Sequence, residues 1–162
     1  MFSICSSIGP PPGDWLLAAQ ERGALTAGID LSHKAITLCR ARLPDGAFHV
    51  GPAEQLPFAN GEFDLVTCLG SLEHFLDPQA ALLEMQRVAR ADARFVLLVP
   101  NTGFLTHRLG LYRGTWQNAV IERARDLDEW LSIFESAGLR VMTRWRDLHV
   151  LSWSWINRGR WY

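Results

Sequence analysis

Only three cysteines occur in the chain, Cys5, Cys39 and Cys68, and no two of them sit at a CxxC or other metal-ligand spacing. The set offers neither a disulfide framework nor a cysteine-held metal; no metal site is expected. An odd, scattered set behind no leader-like start reads as reduced and cytoplasmic. No apolar run approaches the roughly 18 residues of a membrane span, so none is expected. A net charge of −1 argues neither for nor against nucleic acid, but basic runs and RNA-binding motifs are missing, and no nucleic-acid partner is expected. The GxGxxG that would follow a first strand in a nicotinamide enzyme is also missing. No internal repeat stands out.

What is present is enough for a single domain with one sizeable core, with 162 residues of which 48% are hydrophobic. The charge is uneven: residues 1–105 carry 7 Lys and Arg against 11 Asp and Glu, whereas residues 106–162 carry 9 against 6. Six of the seven tryptophans lie in the second stretch. That stretch is either a basic, aromatic surface for an anionic ligand or a last helix and strand pair packed on a sheet, with solvated arginines.

Strand and helix patterns alternate along the chain. Phe2–Ile8 is a weakly alternating strand candidate, expected at the centre of the sheet. Asp14–Arg22 reads as a helix with Trp15, Leu16, Ala18 and Ala19 as its apolar face and Gly23 as its stop. Leu25–Leu31 reads as a strand, after which Ser32 caps a helix to Leu43. A Pro44-Asp45-Gly46 turn leads to a short strand at Phe48–Gly51. Glu62–Leu69 is a strand, Pro78–Arg90 a helix begun by proline, and Arg94–Val99 an apolar strand expected to be buried on both faces. A short helix around Leu105–Leu111 and a helix at Leu127–Ala137 follow. Leu139–Arg146 and Val150–Ile156 alternate like an antiparallel pair. The pattern predicts a doubly wound α/β fold with a mostly parallel, seven-stranded sheet.

Three segments carry chemistry, each at the end of a strand: Gly28-Ile29-Asp30-Leu31-Ser32, Ala53-Glu54-Gln55-Leu56-Pro57-Phe58, and Phe63 to Phe75, which contains Gly70, Glu73 and His74. A carboxylate at Asp30 can accept hydrogen bonds from both hydroxyls of a ribose, or it can simply complement a helix N-terminus. Gly70 permits close backbone approach. His74 is the best-placed general base, because imidazole takes a proton near neutral pH; a purely structural role is the other reading.

In order and spacing these segments resemble class I S-adenosylmethionine (SAM) methyltransferases, in particular the small-molecule type with the LPF turn. The resemblance covers roughly residues 13 to 148. It implies a Rossmann-like fold, SAM as cofactor and direct SN2 transfer of its methyl group to a small-molecule acceptor. Asp30 and Leu31 would hold the nucleoside, Ala53 and Glu54 the adenine edge, and Leu69 and Gly70 the methionine arm beside the acceptor. His74, with His107, Tyr112 or His149 from the acceptor side, would deprotonate that acceptor. Residues 1–100 would form the SAM-binding half and residues 101–162 the acceptor-side connection, helix and last strand pair.

Two features depart from the family pattern. Its acidic residue and Gly-x-Gly-x-Gly loop align with Ser7 to Gly13, where Pro10, Pro11 and Pro12 remove three backbone donors and only Gly9 and Gly13 remain. Its Pro-Gly-Gly turn after the Pro78–Arg90 helix reads Arg90-Ala91-Asp92-Ala93, with Asp92 able to take a left-handed turn. Helices that cover SAM in relatives precede their first strand; this chain starts almost at that strand, which leaves the expected pocket more open. The chain is therefore either a methyltransferase or a degenerate methyltransferase fold serving as a binding or interaction module.

Overall fold

The structure is a computed structural model and describes residues 2–4 (backbone only), 13–102 and 125–145. Five parallel strands form one sheet: β1 (Phe2–Ile4), β2 (Ala27–Asp30), β3 (Ala47–Val50), β4 (Phe63–Leu69) and β5 (Ala89–Leu98), in the order β3-β2-β1-β4-β5. β1 is central as expected, with Phe2 registered against Ala27 on one side and Val66 on the other. Expected strand residues 5–8 lie outside the described residues. The chain builds outward through β2 and β3, then restarts beyond β1 at β4. That reversal puts a topological switch point at the carboxyl edge, between β1 and β4, where open α/β sheets bind their ligands.

Helices α1 (Asp14–Gln20), α2 (His33–Arg42), α3 (Pro78–Val88) and α4 (Leu127–Ser136) complete the described fold. Two separate apolar clusters show how they are layered. Leu16, Ile36, Cys39, Leu43 and Phe48 join α1 and α2 to one face. The larger cluster joins Ala27, Ile29, Val66 and Cys68 of the sheet to Leu82, Met85 and Val88 of α3 and Trp130 and Phe134 of α4. β2 is buried along its whole length, as a strand covered on both faces must be. Within α1 the apolar side is Leu16 with Leu17, while Trp15 points outward at 49% exposure.

The helices begin where capping chemistry dictates. Ser32 Oγ accepts from the Ala35 N–H at 3.3 Å, and Asp77 Oδ1 accepts from the Ala80 N–H at 3.0 Å ahead of Pro78. Asp126 and Glu129 form a reciprocal capping box at α4. Buried Trp130 donates its Nε1–H to the Pro100 carbonyl at 2.9 Å, tying α4 to the end of β5.

Three expectations are corrected. Asp92 does not turn left-handed: among the described residues only glycines have positive φ. Instead α3 runs straight into β5, and residues 90–93 bulge between the Phe63–Ala89 and Leu65–Arg94 pairs. β5 is not buried on both faces; Arg94 is exposed and Leu98 is 36% exposed, because β5 is an edge among the described strands. Residues 139–145 form no strand. Every side chain from 140 to 145 is exposed, so alternation there buries neither face and no described element fixes a register. The seven-stranded sheet is thus a five-stranded one among the described residues, and Val150–Ile156 and Leu105–Leu111 lie outside them.

Candidate active site

The ends of β2, β3 and β4 share the carboxyl edge of the sheet, and each expected site segment leaves from one of them. At β2, Asp30 is only 8% exposed. Its Oδ1 accepts from the Ser32 N–H at 2.6 Å, while Oδ2 is buried and has no partner among the described residues. Burial pushes the carboxyl above its ordinary value, and the Ser32 bond offsets only part of that. Leu31 follows it and is 73% exposed, an apolar side chain standing at the same edge.

The turn after β3 holds Ala53, 5% exposed, and Glu54. Glu54 Oε1 accepts from the Asp77 N–H at 3.3 Å, which links this turn to the one after β4. Leu56 plugs into the core at 4% exposure. What holds this turn was not anticipated: Arg87 and Glu84 of α3. Arg87 donates to the carbonyls of Leu56 and Phe58, each at 2.9 Å, and to Asn60 Oδ1 at 2.8 Å. Glu84 pairs with Arg87 through both oxygens and accepts the Leu56 N–H at 2.8 Å. That pairing lowers the Glu84 carboxyl and raises the Arg87 guanidinium from their ordinary values. The i, i+3 spacing puts Glu84 and Arg87 on one helix face, but nothing in the sequence points to their main-chain partners.

At the end of β4, Gly70 takes φ +66° and donates its N–H to the Leu98 carbonyl at 2.9 Å. The three-residue 3₁₀ turn Leu72–His74 follows. Glu73 is buried at 6% exposure, and His74 Nε2 lies 3.8 Å from Glu73 Oε1 with 13% of the His74 side chain exposed. The structure thus sets His74 beside a buried carboxylate rather than in open solvent. Cys68 is fully buried, and burial first, then the nearby Glu73 charge, pushes its thiol far above the usual range. It is no nucleophile.

Gly13 ends the first loop at φ +88° as the N-cap of α1. Gly9 and the three prolines lie outside the described residues, as do His107, Tyr112 and His149. Asp30, Leu31, Ala53, Glu54, Leu69 and Gly70 therefore come to one edge, with His74 one short turn further on. No group of three or more possible metal ligands occurs among the described residues, and no helix there is long and apolar enough to cross a membrane.

Strand order and switch point define the class, a Rossmann-like α/β protein. The Methyltransferase domain family matches residues 7–97, and the chain belongs to that family, the class I SAM-dependent methyltransferases. The demethylmenaquinone methyltransferase of Thermotoga maritima is 38% identical over 93 residues, covering 55% of this chain and 41% of that protein. The uncharacterized methyltransferase YcgJ of Bacillus subtilis is 32% identical over 162 residues, covering 94% of this chain and 63% of its own length. The chain thus spans less than two thirds of either relative. Among solved structures, a SAM-dependent methyltransferase of Thermotoga maritima described as a possible histamine N-methyltransferase superposes with a TM-score of 0.69 at 18% identity, covering 86% of this chain and 63% of that one. YcgJ itself gives 0.65 at 22% identity over 98% of this chain and 69% of its own.

Proposed function

We propose that the chain binds SAM along the carboxyl edge of the sheet and passes its methyl group to a small-molecule acceptor. The observation that carries this reading is Asp30, a buried carboxylate with one oxygen fixed by Ser32 and the other unpartnered among the described residues. Asp30 accepts the ribose hydroxyls, Leu31 covers the nucleoside, and the Ala53–Glu54 turn reads the adenine edge. Gly9 and Gly13 border the methionine arm on one side, Leu69 and Gly70 on the other. SAM supplies an electrophilic methyl group on sulfonium, so most of the catalysis lies in holding the acceptor in line with it. His74 takes the acceptor proton, with Glu73 beside it stabilising the charged imidazole. Quinone-type acceptors fit the relatives' names, and a small acceptor fits a chain without a basic run.

The proline-rich loop favours one second reading, a methyltransferase fold that no longer holds SAM. Calorimetric titration of SAM and of S-adenosylhomocysteine separates the two. Saturable binding in the micromolar range is expected; no heat at millimolar ligand overturns the cofactor reading.

A further inference from the structure

We infer that Arg87, through Glu84, is a positioning residue for the adenine pocket, although neither side chain sits at the carboxyl edge. The inference rests on the proposed adenine role of the turn after β3. All five N–H donors of Arg87 are spent. Nε donates to Glu84 Oε1 at 2.7 Å and Nη2 to Glu84 Oε2 at 2.8 Å. Nη2 also reaches the Leu56 carbonyl, and Nη1 reaches the Phe58 carbonyl and Asn60 Oδ1. A planar guanidinium with a full set of bonds has one orientation only. The pair holds both backbone groups of Leu56, because Glu84 accepts its N–H while Arg87 binds its carbonyl.

Among the described residues the turn has no strand neighbour to supply these bonds, and Pro57 has no N–H to contribute. α3 therefore plays the part of a neighbouring strand. Further along, the Gly61 and Glu62 N–H groups bond the Arg87 and Val88 carbonyls at 3.0 and 2.7 Å. Ala53 and Glu54 lie just ahead of this pinned stretch. Their N–H and carboxylate can match an adenine edge, an acceptor at N1 and a donor at N6, only if the peptides keep their facing. Hypoxanthine presents a donor and an acceptor in the same two places, so a fixed turn rejects it and a loosened turn does not.

The test is calorimetric titration of three probes into the 162-residue chain: S-adenosylhomocysteine, S-inosylhomocysteine and the 2′-deoxy form of S-adenosylhomocysteine. The parent should prefer the adenine over the hypoxanthine probe by about tenfold or more, the equivalent of one hydrogen bond. Arg87→Met should reduce that preference to within about twofold and keep the ribose preference unchanged, because Asp30 is on a different strand end. Arg87→Lys, which keeps charge but not the fork, should fall between. If Arg87→Met gives no cooperative melt, Glu84→Gln is judged by the same ratios. Base preference retained in the folded variant, or base and ribose preferences lost together, overturns the inference while leaving the cofactor reading intact. A parent that binds but does not prefer adenine overturns the adenine role of the turn and the inference with it. A parent that binds none of the probes overturns the cofactor reading too.

Discussion

Asp30→Asn should separate function from stability at one residue. In the parent, burial raises the Asp30 carboxyl above its ordinary value of 3.8. Between that value and the raised one, the folded chain holds more proton than the unfolded chain. Its stability must therefore fall as pH rises through the interval, and the penalty is fully present above the raised value. Asparagine removes the charge but still accepts from the Ser32 N–H, at a loss of about 1 kcal/mol when a charged acceptor becomes neutral. The two effects oppose, so urea unfolding at pH 7 should find the variant as stable as the parent or more so. Below pH 3.8 the parent is protonated in both states and its penalty is gone, so the advantage of the variant should shrink as pH is lowered. Nucleoside binding should move the other way. Losing one charge-assisted bond to ribose costs about 1.5–3 kcal/mol, or roughly ten- to hundredfold in SAM affinity by calorimetry. Unchanged affinity would refute the ribose role. A variant less stable by more than about 1 kcal/mol at pH 7 would show that the carboxylate serves the fold, against the reasoning from burial.

Gly13→Ala should cost about 1–2 kcal/mol in urea unfolding because of φ +88° rather than space, since a Cβ would meet Cys39 Sγ at an ordinary 3.4 Å. Gly23→Ala, at φ +83° with nothing within 4 Å, should cost as much; a much larger cost at Gly13 would make crowding the cause. The thiol of Cys68, raised by burial and by Glu73, should resist iodoacetamide at pH 8 until denaturant is added, as peptide mass spectrometry reads; prompt alkylation in the folded chain would contradict its burial. Restoring the first loop with Ser7→Asp, Pro10→Cys and Pro11→Gly should tighten SAM binding about a hundredfold, the worth of two charge-assisted bonds; if calorimetry finds no gain, the proline loop is not what limits affinity.

Elements with a strong local signal were legible from the residues alone. Ser32 marks a helix start through its own side chain, and Pro78 marks the start of α3. The central place of β1 came from the family's strand order, not from its weak alternation. The place of Asp30 at a strand end was readable from the apolar run before it, but not its use, since a carboxylate there equally complements the helix that follows. The bulge at residues 90–93 was not, since the same residues suit a turn and only pairing with β4 decides. Nor was the Arg87 clamp, whose acceptors are main-chain carbonyls about thirty residues earlier that no side-chain pattern advertises. Leu139–Arg146 misled because alternation records a preference for a half-buried surface, and no described element covers residues 140–145.

The central position of β1 also sets an order of events during synthesis. Phe2–Ile4 is made before either of the strands it joins, and Phe63–Leu69 emerges about sixty residues later. At about 5–20 residues per second, the middle of the sheet waits several seconds for its second neighbour. Through that interval β2 and β3 can pair with each other, but the edge that β4 will cover has no native partner available. The half of the molecule that carries Asp30 is thus complete in sequence before the sheet can close around it. Closure depends on a long-range parallel pairing, the slowest kind to form.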